Sequence, residues 1–128
     1  MSLKNLPTQF RNDRAIVLAA VTKNGMALEF ASPQLQADRE IVLEAVKTGS
    51  FAYASKVLRE DRDFVLAAVK NNGFALEFAS PQLQADKDVV LVAVNEKRWA
   101  LEYASPQLQA DKDVLLAADT QNKSKSMN

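Results

Sequence analysis

The sequence predicts an all-α fold, in which short α-helices build a solenoid-like array of about 25-residue, two-helix units. The twelve residues Ala27–Asp38 recur letter for letter at Ala75–Asp86, and Ala100–Asp111 differs from them only by Tyr103 in place of Phe. Similarity at a fixed period of this length is typical of chains that stack one small unit. No alternation of apolar and polar residues persists beyond a few positions, so strands are not predicted.

An aspartate marks the beginning of each unit, and these aspartates are 25, 23, 25 and 25 residues apart. Each is expected to cap a helix, because its carboxylate can accept an orphan backbone N–H of the first turn. The helix that follows is apolar over most of its circumference and should therefore be covered on two sides. Leu66, within this apolar run in the third unit, is expected to belong to the core. We number the units repeats 1 to 5, beginning at Asp13, Asp38, Asp61, Asp86 and Asp111.

A second, shorter helix follows in each unit, as at Met26–Ala31, before a Ser-Pro pair begins a further single turn. A glycine separates the two helices in repeats 1 to 3, and we expect it to adopt the left-handed conformation that ends many helices. Arg98 replaces this glycine in repeat 4, which predicts a distorted turn. Repeat 2 lacks the Pro and is two residues shorter, which predicts a kink or a tighter turn. The glycines are Gly25, Gly49 and Gly73.

The domain organisation follows from where this pattern stops. We predict a single helical-repeat domain over residues 1–118, with Asp119 standing where the other repeats have valine. Residues 119–128 are polar and carry no periodic apolar residues, and we predict that they form a disordered tail. The handedness of the superhelix and the oligomeric state stay open at this point.

Composition narrows the classes of function. The 128 residues include 16 basic and 16 acidic side chains, so no basic excess indicates a nucleic-acid or anionic membrane partner. No apolar stretch approaches the roughly 18 residues that a membrane span requires. The N-terminus lacks a signal-peptide pattern, so we expect an intracellular, cytoplasmic protein, or one in a host cytoplasm if it is secreted without a classical signal.

The chemistry of the side chains argues against an enzyme. The chain contains no His and no Cys, which removes the Ser-His-Asp triad, thiol nucleophiles and the usual zinc and haem ligands. Acidic pairs such as Asp86 and Asp88 could bind a hard cation, but they lack the twelve-residue calcium loop with its distal Glu. A helix cap with a first-turn acid explains each pair, so we predict no metal site, no cofactor and no catalytic residue.

Candidate partner-binding residues come from the position that differs among otherwise identical copies. Framework positions repeat in such arrays, whereas positions that contact a partner differ from copy to copy. The residues at this position are Met26, Phe74 and Trp99, and the interpretation we favour is that they pack on the adjacent repeat. An acidic series, Glu29, Glu77 and Glu102, would line the array and offer contacts to a basic partner, although exposed Glu on a helix is the ordinary case. Lys23, Lys47 and Lys70 suit the negative ends of helix dipoles better than a track for a polyanion.

The repeated pattern resembles that of a tandem-repeat family. It consists of Asp-x-Asp/Glu-x-Val-Leu-x-Ala-Val, then Gly-x-Ala-Leu-Glu-Phe/Tyr-Ala-Ser, then Leu-x-x-Asp. This family is catalogued as a domain of unknown function, number four-one-one-six. The resemblance covers roughly residues 10 to 118, with Arg98 and the shortened repeat 2 as departures. It implies a helical array and brings no catalytic residues. We expect a non-catalytic scaffold that holds an unknown protein or peptide. The alternative is a structural spacer or an element that self-associates through its array ends, where Leu115 and Leu116 would be exposed.

Overall fold

The computed structural model describes residues 8–49 and 51–126. Within these residues every regular element is helical, which confirms the all-α prediction. The α-helices are α1 (Arg14–Lys23), α2 (Pro33–Gln36), α3 (Arg39–Lys47), α4 (Lys56–Arg59), α5 (Arg62–Asn71), α6 (Pro81–Gln84), α7 (Lys87–Glu96), α8 (Pro106–Gln109) and α9 (Lys112–Ser126). Helices of the 3-10 type span Thr8–Asn12, Gly25–Phe30, Gly73–Phe78 and Arg98–Tyr103. None of the helices in this part of the chain is long and apolar enough to cross a membrane.

Capping fixes where the helices begin. The aspartate at the head of every repeat accepts a hydrogen bond from the backbone N–H three residues later, at 3.0 to 3.2 Å. The single-turn helices α2, α6 and α8 begin with the predicted Ser cap and Pro at the first helical position. Ser55 makes the same bond to the N–H of Leu58 in repeat 2, although Lys56 replaces the Pro. The capping prediction is confirmed in all five repeats.

The helices group into two compact units, Met1–Arg59 and Glu60–Asn128. In the first unit α1 packs against α3, and both contact the 3-10 helix Gly25–Phe30. In the second unit α7 packs between α5 and α9 and contacts the 3-10 helices of repeats 3 and 4. Within each unit, the long helices therefore pack against the long helix of a neighbouring repeat. The single domain over residues 1–118 stays a prediction.

Each long helix has two apolar faces, which α3 illustrates. We call the positions of Ile41 and Ala45 the preceding face, and those of Val42 and Val46 the following face. All four side chains are buried, as are their equivalents in α5 and α7. The leucine that directly follows Val42, and its equivalents in the other repeats, is only half-buried in repeats 1 to 4, so our expectation that Leu66 belongs to the core was wrong. This leucine lies at the edge of the stripe, because two pairs at i and i+4 already fill both buried faces.

The glycines correct a second expectation. Among the described residues, Gly49 alone has a positive φ, at 120°, whereas Gly25 and Gly73 are not left-handed. A Cβ atom on Gly73 would lie closer than 3.0 Å to the backbone carbonyl oxygen of Ala93 on α7, and Gly25 approaches Ala45 in the same way. Glycine is required here because the next long helix lies against the turn.

Arg98 does not distort the turn of repeat 4, contrary to the prediction. The residue before it, Lys97, has φ −139° and ψ 109°, close to the −156° and 106° of Asn72 in repeat 3. The 3-10 helices that follow have the same length in both repeats. Repeat 4 lacks a side-chain cap at this turn. The side-chain oxygen of Asn72 accepts a hydrogen bond from the N–H of Phe74, whereas the side chain of Lys97 caps no N–H.

Repeat 2 and the C-terminal segment depart from the regular pattern. Phe51 fills the place that Leu28 and Leu76 fill elsewhere and is 1% exposed. Ser50, which follows the left-handed Gly49, lies outside the described residues. The last helix, α9, continues to Ser126, whereas the sequence predicted a disordered tail from residue 119 on. No Gly or Pro occurs in Lys112–Ser126, so nothing in this stretch interrupts the helix. The last two residues of the predicted tail, 127 and 128, lie outside the described residues.

Candidate functional site

The second residue of the 3-10 helices Gly25–Phe30, Gly73–Phe78 and Arg98–Tyr103 is the variable position, and it is exposed. The side-chain oxygens of Asn24 and Asn72 accept a hydrogen bond from the N–H of this residue, at 3.0 Å in both repeats. One or both of the two residues that follow are buried in each of these helices, namely Leu28, Ala75, Leu76 and Ala100. The side chains presented in this way are exposed by 48% at Met26, 37% at Phe74 and 65% at Trp99.

Phe74 packs partly on the next repeat. Its ring meets that of Tyr103 edge to face, with 6.5 Å between the ring centroids. Such pairs are stabilising, since the positive edge of one ring faces the negative face of the other. Phe74 therefore combines contact with the adjacent repeat, the role we favoured, with an exposed portion.

Trp99 lies at a groove between the 3-10 helix of repeat 4 and α9. We call this the Trp99 groove; its volume is about 440 Å³. One wall carries Trp99, Leu101 and Glu102, and the other carries Leu115, Ala118 and Asp119. The guanidinium of Arg98 lies 4.8 Å from the centre of the Trp99 ring, which holds the ring in a cation–π contact.

Met26 lies at a smaller groove in the first unit, the Met26 groove, with a volume of about 330 Å³. Glu29 and Phe30 line it together with Lys23 from the last turn of α1. The structure thus brings Met26 and Glu29 together in one groove, and Trp99 and Glu102 together in another. Lys23 also lines the Met26 groove, and Arg98 also lines the Trp99 groove.

The glutamates of the acidic series are exposed, and two of them face a tyrosine of the next repeat. The negative charge of Glu29 raises the pKa of Tyr53 above its ordinary value, and a hydrogen bond between the side chains acts in the same direction. Burial raises the pKa of Tyr103, and the charges of Glu77 and Glu102 add to this effect. Glu29 and Glu77 therefore interact with a tyrosine of the next repeat, in addition to offering exposed charge.

The acidic pairs at the repeat heads have a second role besides capping. Arg62, just after one cap, donates to Asp86 at the head of the next repeat (2.7 Å) and lies 3.1 Å from Asp88. Arg14 pairs in the same way in the first unit, with Asp38 and Glu40. The hydrogen bond from Arg62 lowers the pKa of the Asp86 carboxyl, and the bond from Arg14 does the same for Asp38. These carboxylates are engaged in caps and ion pairs between consecutive repeats.

Among the described residues, no group of three or more acidic side chains is placed to hold a metal ion. Exposure of Leu115 was predicted from the sequence, and this side chain is 44% exposed. Leu101 was missed as a residue of the Trp99 groove, because the equivalent Leu76 is fully buried. The signal that could have found Leu101 is its place in repeat 4, next to the repeat for which exposure of Leu115 was predicted.

Two segments of the chain, residues 1–36 and 38–84, match a family model described as "Domain of unknown function (DUF4116)". The chain belongs to the DUF4116 family. Together the two segments cover more than half of the chain; the first contains α1, and the second contains α3 and α5. Searches of curated proteins and of solved structures returned no match. The DUF4116 match brings no assigned activity, so function has to be argued from the surface of the repeats.

Proposed function

We propose that this DUF4116 protein is a non-catalytic scaffold that binds a protein or peptide through its 3-10 helices. The single observation that carries the proposal is the exposure of large apolar side chains at the position that varies between copies. Met26, Phe74 and Trp99 occupy equivalent places on nearly identical backbones, yet differ in shape. An intracellular setting remains our expectation.

Trp99 is the strongest candidate anchor. Its side chain is 65% exposed, although a large aromatic side chain gains free energy from burial. Trp is enriched among the few residues that supply most of the free energy of binding at interfaces. The neighbouring Ala100 is fully buried, and its N–H donates to the carbonyl of Lys97 at 2.9 Å, so the backbone beneath the ring is fixed. A rigid anchor loses less entropy when it binds than a mobile one.

The two grooves differ in the residues around their anchors. Met26 has Lys23 and Glu29 beside it, whereas Trp99 has Arg98, Glu102 and Asp119. A flexible thioether adapts to several shapes, whereas an indole ring favours a flat apolar partner group. This difference supports a partner with distinct side chains for distinct repeats, in preference to a uniform polymer.

A capture experiment on the intact chain tests the proposal. Bound proteins are compared between the natural chain and a variant in which Met26, Phe74 and Trp99 are all changed to Ala. Val57→Ala is the matched control, because Val57 is 74% exposed and apolar but lies outside the variable position. We expect a partner to be lost with the triple variant and kept with the control, while circular dichroism shows equal helicity. Equal capture by all three proteins would contradict the proposal.

A second candidate function, self-association, is favoured by a different observation. Leu115 and Leu116 in α9 are 44% and 53% exposed, next to each other in sequence. Exposed apolar residues that adjoin one another are typical of surfaces that associate. Light scattering on the purified chain tests this candidate, since a monomer at high concentration would exclude it.

A further inference from the structure

Each apolar residue at the variable position has a glutamate three residues further along the same 3-10 helix. The pairs are Met26 and Glu29, Phe74 and Glu77, and Trp99 and Glu102. A 3-10 helix has three residues per turn, so side chains at i and i+3 eclipse each other on one side of the helix. All six side chains are exposed. In repeats 1, 3 and 4 the 3-10 helix therefore presents an apolar group beside a carboxylate.

Repeat 2 has lost both residues of this pair. Since Phe51 takes the place of Leu28, the residue two positions earlier, Gly49, stands at the variable position. Ala52 stands at the position of the glutamate. Phe51 is 1% exposed, so repeat 2 keeps the buried residue of this turn. The apolar residue and the carboxylate therefore vary together between repeats, as two parts of one binding surface would.

The glutamates of these pairs differ from the acids at the repeat heads. Asp86 and Asp88 at the head of repeat 4 are both ion-paired with Arg62. Glu77 and Glu102, by contrast, have no ion pair with any residue that the structure describes. Both interact with the hydroxyl of Tyr103, which is neutral and carries a single proton for two carboxylates. The negative charge of this surface is therefore left for a cation from outside the chain.

The pair in repeat 3 is exposed in the interior of the described chain. Phe74 is 37% exposed, although the Tyr103 ring of repeat 4 contacts it, with 6.5 Å between the ring centroids. Its exposure therefore does not result from a position at the end of the array. The aliphatic stem of a Lys or Arg side chain can pack on the exposed part of such a ring while its charged end stays in water. Glu77, three residues further on, lies on the side where that charged end would be.

Repeat 4 shows which chemistry suits an anchor of this kind. The guanidinium of Arg98 lies 4.8 Å from the centre of the Trp99 ring, in a cation–π contact. Gly73 occupies the corresponding position in repeat 3, so the 3-10 helix of repeat 3 has no cation of its own beside Phe74. A guanidinium or ammonium group from a partner would supply in repeat 3 what Arg98 supplies in repeat 4.

We propose that the 3-10 helices of repeats 3 and 4 bind a basic segment of a partner protein. The stems of its Lys or Arg side chains pack on the apolar anchors, and their charged ends pair with Glu77 and Glu102. This inference rests on the proposed scaffold function and names the chemistry of its partner. Packed helices lie about 8–10 Å apart, a distance that an extended chain covers in about three residues, so we expect basic residues at about every third position.

Fluorescence anisotropy with two labelled peptides tests the proposal on the intact chain. The basic probe is Gly-Ser-Arg-Leu-Ser-Arg-Leu-Ser-Gly, and the reference peptide has Gln in place of both arginines. We expect the chain to bind the basic probe at least about tenfold more tightly than the reference, because two ion pairs and their contacts with the anchors each contribute a few-fold. Glu77→Gln should raise the dissociation constant of the basic probe by about threefold or more and leave that of the reference unchanged.

Asp63→Asn is the matched control. Asp63 is exposed, belongs to the same repeat and loses the same charge, but it lies in the first turn of α5, at the end of this helix away from Phe74. We expect this variant to change the affinity for the basic probe by less than about 1.5-fold, since exposed charges away from the site are screened. Circular dichroism should show equal helicity for both variants and the natural chain.

Three results would each overturn the inference: equal affinity for the two peptides, no binding of the basic probe, or equal losses from Glu77→Gln and Asp63→Asn. The last result would indicate attraction to the net charge of the chain alone. Failure of the scaffold proposal is read from a different measurement, namely capture by the variant that lacks the three anchors and retains every glutamate. The two failures are therefore distinguishable.

Discussion

Replacing Gly73 by alanine separates two reasons why glycine occurs at this turn. The sequence suggested a left-handed residue, for which alanine is strained and asparagine is better tolerated. In the structure Gly73 is not left-handed, and an added Cβ would instead come closer than 3.0 Å to the carbonyl oxygen of Ala93 and reach 3.0 Å from Lys97. The atom in the way belongs to the backbone of α7, so it cannot rotate aside.

The expected cost follows from two opposing effects. Alanine restricts the unfolded chain, which favours the folded state by about 0.4–1 kcal/mol. Overpacking of this kind costs typically about 1–3 kcal/mol, because α7 has to move away from the turn. The net destabilisation of Gly73→Ala should therefore be about 1–2 kcal/mol, and Gly73→Asn should be at least as unfavourable, since it carries the same Cβ and more atoms.

Urea unfolding followed by circular dichroism measures this cost. With a slope of about 2 kcal/mol per molar urea, the midpoint should fall by about 0.5–1 M. Gly49 is the matched control, because its φ is 120° and nothing lies within 4 Å of an added Cβ. There the cost is one of backbone strain alone. If Gly73→Asn proved milder than Gly73→Ala, close approach would not be the reason for this glycine.

Three further predictions follow from the burial and the charges. Leu66→Ala should destabilise the fold by about 1–2 kcal/mol, which is below the range of about 2–5 kcal/mol for a buried leucine. The cost should also be smaller than that of Val65→Ala, although Leu66→Ala removes one more carbon. Urea unfolding ranks the two variants, and a larger cost for Leu66→Ala would contradict the two-face description. Asp86→Asn keeps a capping side chain but removes the ion pair with Arg62. Because the pKa of Asp86 is lowered in the folded state, its contribution is present above the unfolded pKa of about 3.9 and is lost as the pH falls through the folded pKa. The variant should therefore lose less stability on acidification than the natural chain, and parallel curves of unfolding free energy against pH would contradict this. Glu29→Gln should lower the pKa of Tyr53 towards its ordinary value of about 10, because the charge of Glu29 is the main cause of the raised value. Titration of tyrosinate absorbance measures this with Tyr103 as an internal reference, and an unchanged pKa of Tyr53 would exclude the pairing. Since the pKa of Tyr53 is raised on folding, its contribution to stability is present below the unfolded pKa and is lost as the pH rises through the folded pKa.

The sequence was sufficient for the parts of the fold that depend on local rules. Each Asp cap and each Ser-Pro start depends on residues within one turn, and these were found at the expected places. Burial of the Ile41 and Val42 faces also followed from periodicity alone. The reason for a glycine at position 73 was predicted wrongly. The backbone of Ala93, twenty residues away in sequence, leaves no room for a Cβ atom at this position. A rule based on the conformation of a single residue does not include such a neighbour.

The candidate site could be predicted only in part, because the exposure of its residues also depends on neighbours that are distant in sequence. Variation at Met26, Phe74 and Trp99 was readable from the aligned copies, but how much of each side chain is exposed depends on the next repeat. Phe74 is more covered than Trp99 because Tyr103 lies against it. The exposure of Leu115 was predicted, whereas Leu101 was missed because its equivalents Leu28 and Leu76 are fully buried. The binding residues themselves stay a prediction until a partner is found.

The two faces of the repeat helix explain where a charged residue can replace an apolar one. In α7 the residues on both faces are fully buried, and all of them are apolar, because a charge there would lose its hydration. In α9, Leu115 is 44% exposed, and Asp119, at the position that Val94 has in α7, is exposed as well. A carboxylate at this position therefore keeps its hydration, whereas the same substitution at Val94 would bury the charge.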